Sequence, residues 1–476
     1  MKKHIVALGV LMISLIVSAC GDKGASSALF TVDGVVSGLT GTLVLQNKGG
    51  DDLMVTANGS FTFPTALAPG SSYAVTVLTN PPGQTCVVSK GTGTILIANI
   101  KNVLVDCFER GGLDVTFNAP NGFTVQNNAA GGNADDFGNA VAIDSKGRIL
   151  SAGSSTNSAG DMDMVVWRFK TDGTLDATFN GGGVIVQNNS SGGTGDASGK
   201  AIAVDSQGRI LVTGSTTSAG YTDMAVWRFN ANGTVDKSFN KSGLVINNGA
   251  AGGNADDSSK AIAIDSQDRI LVTGSTTSAG NTDMVVWRFK ADGTIDTTFN
   301  GSGITVQNNA AGGSGDDSGN AIAVDSQGRI LVAGSSTTSA GDTDMVVWRF
   351  KADGTLDTTF NGSGLVVNNG AAGGNGDDSG KAIAVDSQGR ILVTGSSKNI
   401  AGDTDMVVWR FNADGALDIT FAANGIASHN GAAWAGGTGD DSGNAIAVDS
   451  QDKILIAGSS GNSAGNSDMV VWRVFP

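Results

Sequence analysis

The residues best placed to do chemistry are aspartates in adjacent pairs. Asp256 and Asp257, Asp316 and Asp317, Asp377 and Asp378, and Asp440 and Asp441 recur in similar contexts, three of them as Gly-Asp-Asp. Two carboxylates held close together suit general acid–base work or a hard cation. Ca²⁺ wants six to eight oxygens, and flexible loops of Asp, Asn and Gly can supply them. No loop has EF-hand or nonapeptide spacing. Ca²⁺ at these pairs is therefore one expectation, and turn chemistry with solubility is the plainer one. Other chemistries lack parts. A Ser-His-Asp or Cys-His arrangement needs His, and the chain has two, His4 and His429. No His/Cys cluster makes a zinc site. His429 shares its loop, ASHNGAAWAGGTGDD, with Trp434, and neither occurs in the sibling loops. They are the candidate ligand contacts, set against simple drift of one loop. The Asp pairs recur almost unchanged, as scaffold does. The expectation is a non-enzymatic protein.

These residues sit in repeats, and repeats govern the fold. A "VVWRF"-like run places Trp at 167, 227, 287, 348, 409 and 472, at intervals of 60, 60, 61, 61 and 63 residues. Each unit holds four strand-like runs. In the third they are Ala261–Asp265, Ile270–Gly274, Asp283–Phe289 and Gly303–Gln307, joined by turns rich in Gly, Asp, Asn and Ser. Four short antiparallel strands per unit describe a propeller blade. The runs are called a to d in chain order. A lone d-type run, Phe123–Gln126, precedes the first a run, and the chain stops just after the last c run at Arg473. The orphan strand is expected to complete the last blade and so remove the exposed edges. Within run c, Val285, Trp287 and Phe289 share one face and Met284, Val286 and Arg288 the other. Trp is expected between blades. The row Arg168, Arg228, Arg288, Arg349, Arg410 and Arg473 needs partners if buried. The Asp265 class could serve, with a ring of ligand-binding arginines as the alternative. The b–c and d–a loops emerge on one side, so one face of the disc is expected to be acidic.

Composition agrees with strands and turns. Glycine numbers 71, proline 6, and Glu109 is the only glutamate. The net charge of −15 argues against nucleic acid as a partner. Residues 29–108 do not repeat. They read as seven short strands, an immunoglobulin-like β-sandwich similar to those near the N-termini of bacterial surface lipoproteins. The expected domains are thus a leader at 1–19, a linker at 20–28, the sandwich at 29–108 and a six-bladed propeller at 109–476. The whole is all-β.

The leader has Lys2 and Lys3, an apolar run from Ile5 to Val17, and then Val17-Ser18-Ala19-Cys20. This resembles the bacterial lipobox, which implies lipidation of Cys20 and a cell-envelope protein. Gly21 after Cys20 favours the outer membrane. With Cys20 lipidated, Cys86 and Cys107 remain as a pair. In an oxidising compartment they are expected to bond, which in the chain-entropy model is worth about 3 kcal/mol.

The stretch "DSxGRILVxG…DMVVWRFxxDGTLDxTFNGxG", seen from Asp325 to Gly364, resembles the delta-60 repeat family of bacterial β-propellers. The "IAVDSQGRILVTG" portion is similar to NHL-type repeats. That family often has "FG" where this chain has "FN". The resemblance implies a propeller and no particular activity. Three functions fit: a binding, scaffolding or adhesion lipoprotein with a protein or glycan ligand; a Ca²⁺-dependent propeller hydrolase or lactonase; or a purely structural envelope component. The first is preferred, as a monomer. Lactonases of this type use a Glu ligand, and Glu109 lies outside the repeats. The lipobox yields a direct expectation. The wild type partitions with membranes and needs detergent for release, whereas Cys20→Ser is soluble or unprocessed; wild type in the detergent-free soluble fraction contradicts the anchor.

Overall fold

A computed structural model describes residues 28–109, 117–119, 123–188, 195–218, 220–252, 255–278, 280–422, 424–432, 439–449, 452–462 and 466–475. There is no helix among the described residues. The chain divides into two compact units, Met1–Val115 and Thr116–Pro476.

In the first unit eight strands form two four-stranded sheets. One is built on Val32–Ser37, which pairs in parallel with Ile100–Glu109. The other is built on Leu43–Asn47. Alternation explains the packing, because Val32 and Val36, Leu43 and Leu45, and Val103 and Val105 each turn one face inward. Thr92–Thr94 adds a strand that the sequence does not announce. A disulfide joins Cys86 to Cys107 on neighbouring strands.

The second unit is a succession of six antiparallel sheets, five of four strands and a last one of three. The third is typical, with strands Asp257–Ile264, Ile270–Ser278, Asn281–Phe289 and Ile304–Gln307 in spatial order. Strands a and b begin and end further out than the apolar runs predict. A bulge between Ser259 and Ala261 lets the Asp-rich segment stay in the ladder. Gly274 is required opposite it, since a Cβ there would meet the Ser258 carbonyl. Strand c is buried on both faces. Val285, Trp287 and Phe289 pack with Met224 and Val226 of the preceding blade, while Met284 and Val286 pack with Val346 and Trp348 of the next. The Trp row is therefore inter-blade packing.

Five arginines of the row are buried as well, but their partners differ from those expected, and only the exposed Arg473 pairs with an aspartate of the Asp265 class. Arg168, Arg228, Arg288, Arg349 and Arg410 pair with Asp176, Asp236, Asp296, Asp357 and Asp418 at 2.8–2.9 Å, eight residues downstream in the c–d turn. The Asp265 class instead serves its own a–b turn, where Asp265 holds Arg269 at 2.6 Å. Asp wins at the eighth position because the chain doubles back there, and Phe289 bridges Ile295. Arg168, Arg228, Arg288 and Arg349 also reach the following blade. Arg228 lies 4.5 Å over the Phe239 ring and donates to the Ala291 carbonyl. Phe239 packs on Gly293, which has a φ of 85° and leaves no room for a Cβ. Asn240 N–H then donates to the Asp292 carbonyl at 2.7 Å.

The expected closing strand is not formed among the described residues. Phe123–Gln126 forms no strand, and the last sheet has three strands among the described residues. Met469 and Val471 are 78% and 60% exposed, whereas their counterparts Met406 and Val408 are fully buried. Arg473 pairs with Asp449, the counterpart of Asp265, at 3.2 Å.

The buried arginines carry a stability prediction. Arg288→Met strands the Asp296 carboxylate and costs about 3–5 kcal/mol, read as a lower denaturation midpoint. Arg288→Met with Asp296→Leu regains most of it. A surface, ligand-binding arginine changes stability by only about 0.5 kcal/mol.

Candidate functional site

Each Asp pair is divided by the strand pleat. Asp256, Asp316, Asp377 and Asp440 are exposed. Each accepts the N–H of a residue near the start of strand c in the preceding blade: Thr222 at 2.8 Å, Thr282 at 2.8 Å, Thr343 at 3.1 Å and Thr404 at 2.9 Å. The outer aspartates are inter-blade staples. The two members of each pair therefore have separate roles, although the sequence places both in one Asp-rich stretch.

The inner members, Asp257, Asp317, Asp378 and Asp441, belong to strand a and are 0–1% exposed. They stand opposite Thr276, Ser336, Ser397 and Ser460. One oxygen is held by backbone: Oδ2 of Asp317 accepts from Asn309 and Oδ2 of Asp378 from Gly370, both at 2.7 Å, and Oδ2 of Asp441 accepts from Gly431 at 2.5 Å. The other oxygen, Oδ1 of Asp257, Asp317, Asp378 and Asp441, is buried without a hydrogen bond. For Asp317, Asp378 and Asp441, strand c of the preceding blade supplies a second buried carboxylate that repels the first, from Asp283, Asp344 and Asp405 respectively. Burial pushes the carboxyls of Asp317, Asp378 and Asp405 up, and the facing Asp283, Asp344 and Asp441 raise them further. Burial likewise raises Asp257, Asp283 and Asp344. Asn369 bonds Asp344, and Asn399 and Asn430 bond Asp405. At the first interface Ala197 replaces the inner Asp, so Asp163 meets no carboxylate from that position.

A second feature lies on the innermost strands. The a strands of successive blades run side by side. One register position on them carries Asn139, Lys200, Lys260, Asn320, Lys381 and Asn444. Lys260 Nζ donates to Ser318 Oγ at 2.6 Å and Asn320 Oδ1 at 2.9 Å. Lys381 Nζ donates to Ser442 Oγ at 2.5 Å. Asn139 and Asn320 donate to the carbonyls of Gly199 and Gly380 at 2.8 and 3.0 Å. Lys260 is accessible to solvent yet flanked by neighbouring strands, and that surrounding protein pushes its amine down, as it does for Lys381. Lys200 and Asn139 border a cavity of about 420 Å³ with Asp196, Ser198 and Ser215. Sequence reasoning missed this set. Its signal is a position that varies between Lys and Asn inside a segment that reads "SGxAIAV" in four units and FGNAVAI and SSKAIAI in the first and third.

The remaining candidates fall elsewhere. The arginines are occupied in the inter-blade contacts described above. His429 ends strand Ile426–His429 and is exposed. It stands where Asn247 and Asn368 accept the indole N–H of Trp287 and Trp409 at 2.8 and 2.7 Å. Trp434 and Cys20 lie outside the described residues. Among the described residues no three His, Cys, Asp or Glu side chains converge on one point.

Comparison with known proteins agrees with the repeats. The family described as "Domain of unknown function (DUF5122) beta-propeller" matches residues 147–179, 206–239, 268–299, 326–360 and 387–421. Each match runs from an a–b turn to the end of the c–d turn. A second family, "Beta-propeller repeat", matches residues 311–339 and 371–400. No curated protein matches the sequence. Among solved structures, a protein of unknown function from Dyadobacter fermentans DSM 18053 is similar at 12% identity, over 70% of this chain and 93% of that one, with a TM-score of 0.39. A PL25 ulvan lyase is similar at 10% identity over 70% and 79%, with a TM-score of 0.38. A gluconolactonase of Xanthomonas campestris is similar at 15% identity over 71% and 96%, with a TM-score of 0.32. Scores of this size carry no inference. The second unit of this chain carries β-propeller repeats, matched in five units by the DUF5122 family and in two of them by the second family as well.

Proposed function

We propose that the chain is a non-enzymatic lipoprotein of the cell envelope, anchored at the outer membrane through Cys20, whose propeller is a binding and scaffolding module for an acidic glycan. The observation that carries this reading is the Lys and Asn set on the innermost strands. Lys200, Lys260 and Lys381 supply positive charge in a chain of net charge −15, and Lys260 and Lys381 donate to Ser318, Asn320 and Ser442, which are neutral. Amines suit the acid groups of such a ligand, and Asn139, Asn320 and Asn444 have the donors and acceptors that sugar hydroxyls need. A hydrolase would use one asymmetric constellation, whereas the carboxylates here repeat from blade to blade. The test is a glycan and protein array probed with the detergent-solubilised chain. Uronic or sulfated glycans bind, binding weakens with salt, and Lys200→Gln with Lys260→Gln and Lys381→Gln lowers it at least tenfold. Binding to neutral glycans alone, or none at all, favours the purely structural envelope role.

We further infer that the propeller closes with six blades, the segment Phe123–Gln126 completing the last. Phe117 and Asn118 support this. Gly173 abuts Phe117 as Gly233 abuts Phe179, and Asn118 N–H donates to the Asp172 carbonyl at 2.6 Å as Asn180 does to Asn232. The N-terminal strap thus holds the first blade as the c–d turns ending at Phe179, Phe239, Phe299 and Phe360 hold the next. The register of the complete blades, Val165 opposite Val186, sets Val470 opposite Val125. Val125→Cys with Val470→Cys accordingly forms an intramolecular disulfide under mild oxidation. Free thiols at both positions, or a linked dimer, contradict closure within one chain.

A further inference from the structure

We propose that divalent cations, Ca²⁺ by the chemistry of the donors, bind between consecutive blades at the facing carboxylates of Asp283 and Asp317, Asp344 and Asp378, and Asp405 and Asp441. The argument starts from burial. All six aspartates are at most 7% exposed, and an isolated buried carboxylate is strongly unfavourable unless compensated. The inner member of each pair is held for its charged form, since backbone N–H groups of Asn309, Gly370 and Gly431 point at its Oδ2. Protonating that oxygen would forfeit the bond. Yet Oδ1 of Asp317, Asp378 and Asp441 is buried without a donor, and so is Oδ1 of Asp344 on the facing strand. Two facing carboxylates repel each other, and with the inner oxygens (and Asp344 Oδ1) unsatisfied, while Asp405 Oδ1 accepts from Asn399 at 2.8 Å, a positive charge between them relieves the repulsion. No Lys or Arg is paired with these six aspartates in the ion pairs described.

The donor set selects the ion. Two carboxylates offer up to four oxygens, and the amides of Asn369 and Asn430 lie against Asp344 and Asp405. All are hard oxygen donors without His or Cys, in an irregular arrangement that suits Ca²⁺ better than the strict octahedron of Mg²⁺. The Asn that follows each d strand recurs as Asn308, Asn369 and Asn430, so an amide is available at the same sequence position of each pair, although Asp283 is bonded by Ser278. The chain also contains its own control. At the first interface Ala197 takes the place of the inner Asp, and the set beside Asp163 is incomplete.

The ligands are the inner aspartates, whereas the exposed Asp256, Asp316, Asp377 and Asp440 act as staples. Equilibrium dialysis of the full, detergent-solubilised chain against CaCl₂ after chelation tests this, with calorimetric unfolding at matched ionic strength. At least three Ca²⁺ are retained per chain, and Ca²⁺ raises the unfolding temperature by mass action. Asp317→Asn and Asp378→Asn each remove about one ion. Asp316→Asn and Asp377→Asn leave the stoichiometry unchanged, and Ala197→Asp adds an ion. The wild-type measurement stands even if an inner variant fails to fold. Fewer than one ion per chain with identical transitions in EDTA and Ca²⁺ overturns the proposal and leaves a proton shared within each pair. Retention abolished by the outer substitutions and untouched by the inner ones overturns it equally.

Discussion

The buried arginine of strand c is the contact on which the arrangement of blades depends. Its guanidinium meets an aspartate of its own c–d turn, the ring of that turn's Phe, and a carbonyl of the next blade. Arg349 makes all three, with Asp357 at 2.8 Å, Phe360 at 4.5 Å and the Ala413 carbonyl. Two flat sheets packed through Val, Met and Trp could slide along each other, because dispersion contacts are individually weak and non-directional. A planar cation with five fixed donors cannot slide without losing bonds. The apolar surfaces supply the adhesion and the arginine sets the position.

The opposite edge of each interface is governed by anions. There the outer aspartate ties the start of the preceding strand c, and, where Ala197 does not take its place, the inner aspartate is buried, facing another carboxylate at Asp317, Asp378 and Asp441. The two edges titrate in opposite senses. The Asp357 carboxyl is pushed up by burial, but the Thr359 hydroxyl and Arg349 outweigh this and hold it below the usual range. Asp378 lies above it through burial and Asp344. An ionised Asp357 therefore stabilises the fold above about pH 4, whereas an ionised Asp378 is a burden as pH rises from there unless its charge is balanced. The inter-blade carboxylates thus behave as a place for a counter-charge, while the arginine edge is complete as it stands.

Repetition also shapes what can be functional. Residues that recur without change, such as the Trp and Arg rows, are absorbed by packing between blades. The register that does vary, Asn139, Lys200, Lys260, Asn320, Lys381 and Asn444, lies on the strands nearest the centre. Variation there is tolerated because those side chains reach across accessible surface to Ser and Asn of the next strand, and are not locked into a core.

Much of this was legible in the residues themselves. The Trp spacing, the doubled apolar faces of strand c, and the Gly-Asp-Asn turns determined repeated four-stranded sheets, because a period-two pattern between turn residues leaves little else. The pairing of Cys86 with Cys107 followed from there being three cysteines and an expected lipid on one. Tertiary structure alone decided the partners. Asp265 and Asp296 are both near an arginine in sequence, and only the doubling back of the chain after Phe289 gives Asp296 to Arg288 and Asp265 to Arg269. Neighbours in sequence such as Asp377 and Asp378 looked alike, but the pleat turns one to solvent and the other into the interface. The facing of Asp344 and Asp378 was invisible for the same reason. It joins residues on different blades, and contact across a packed interface depends on the register of two sheets, which no local pattern encodes.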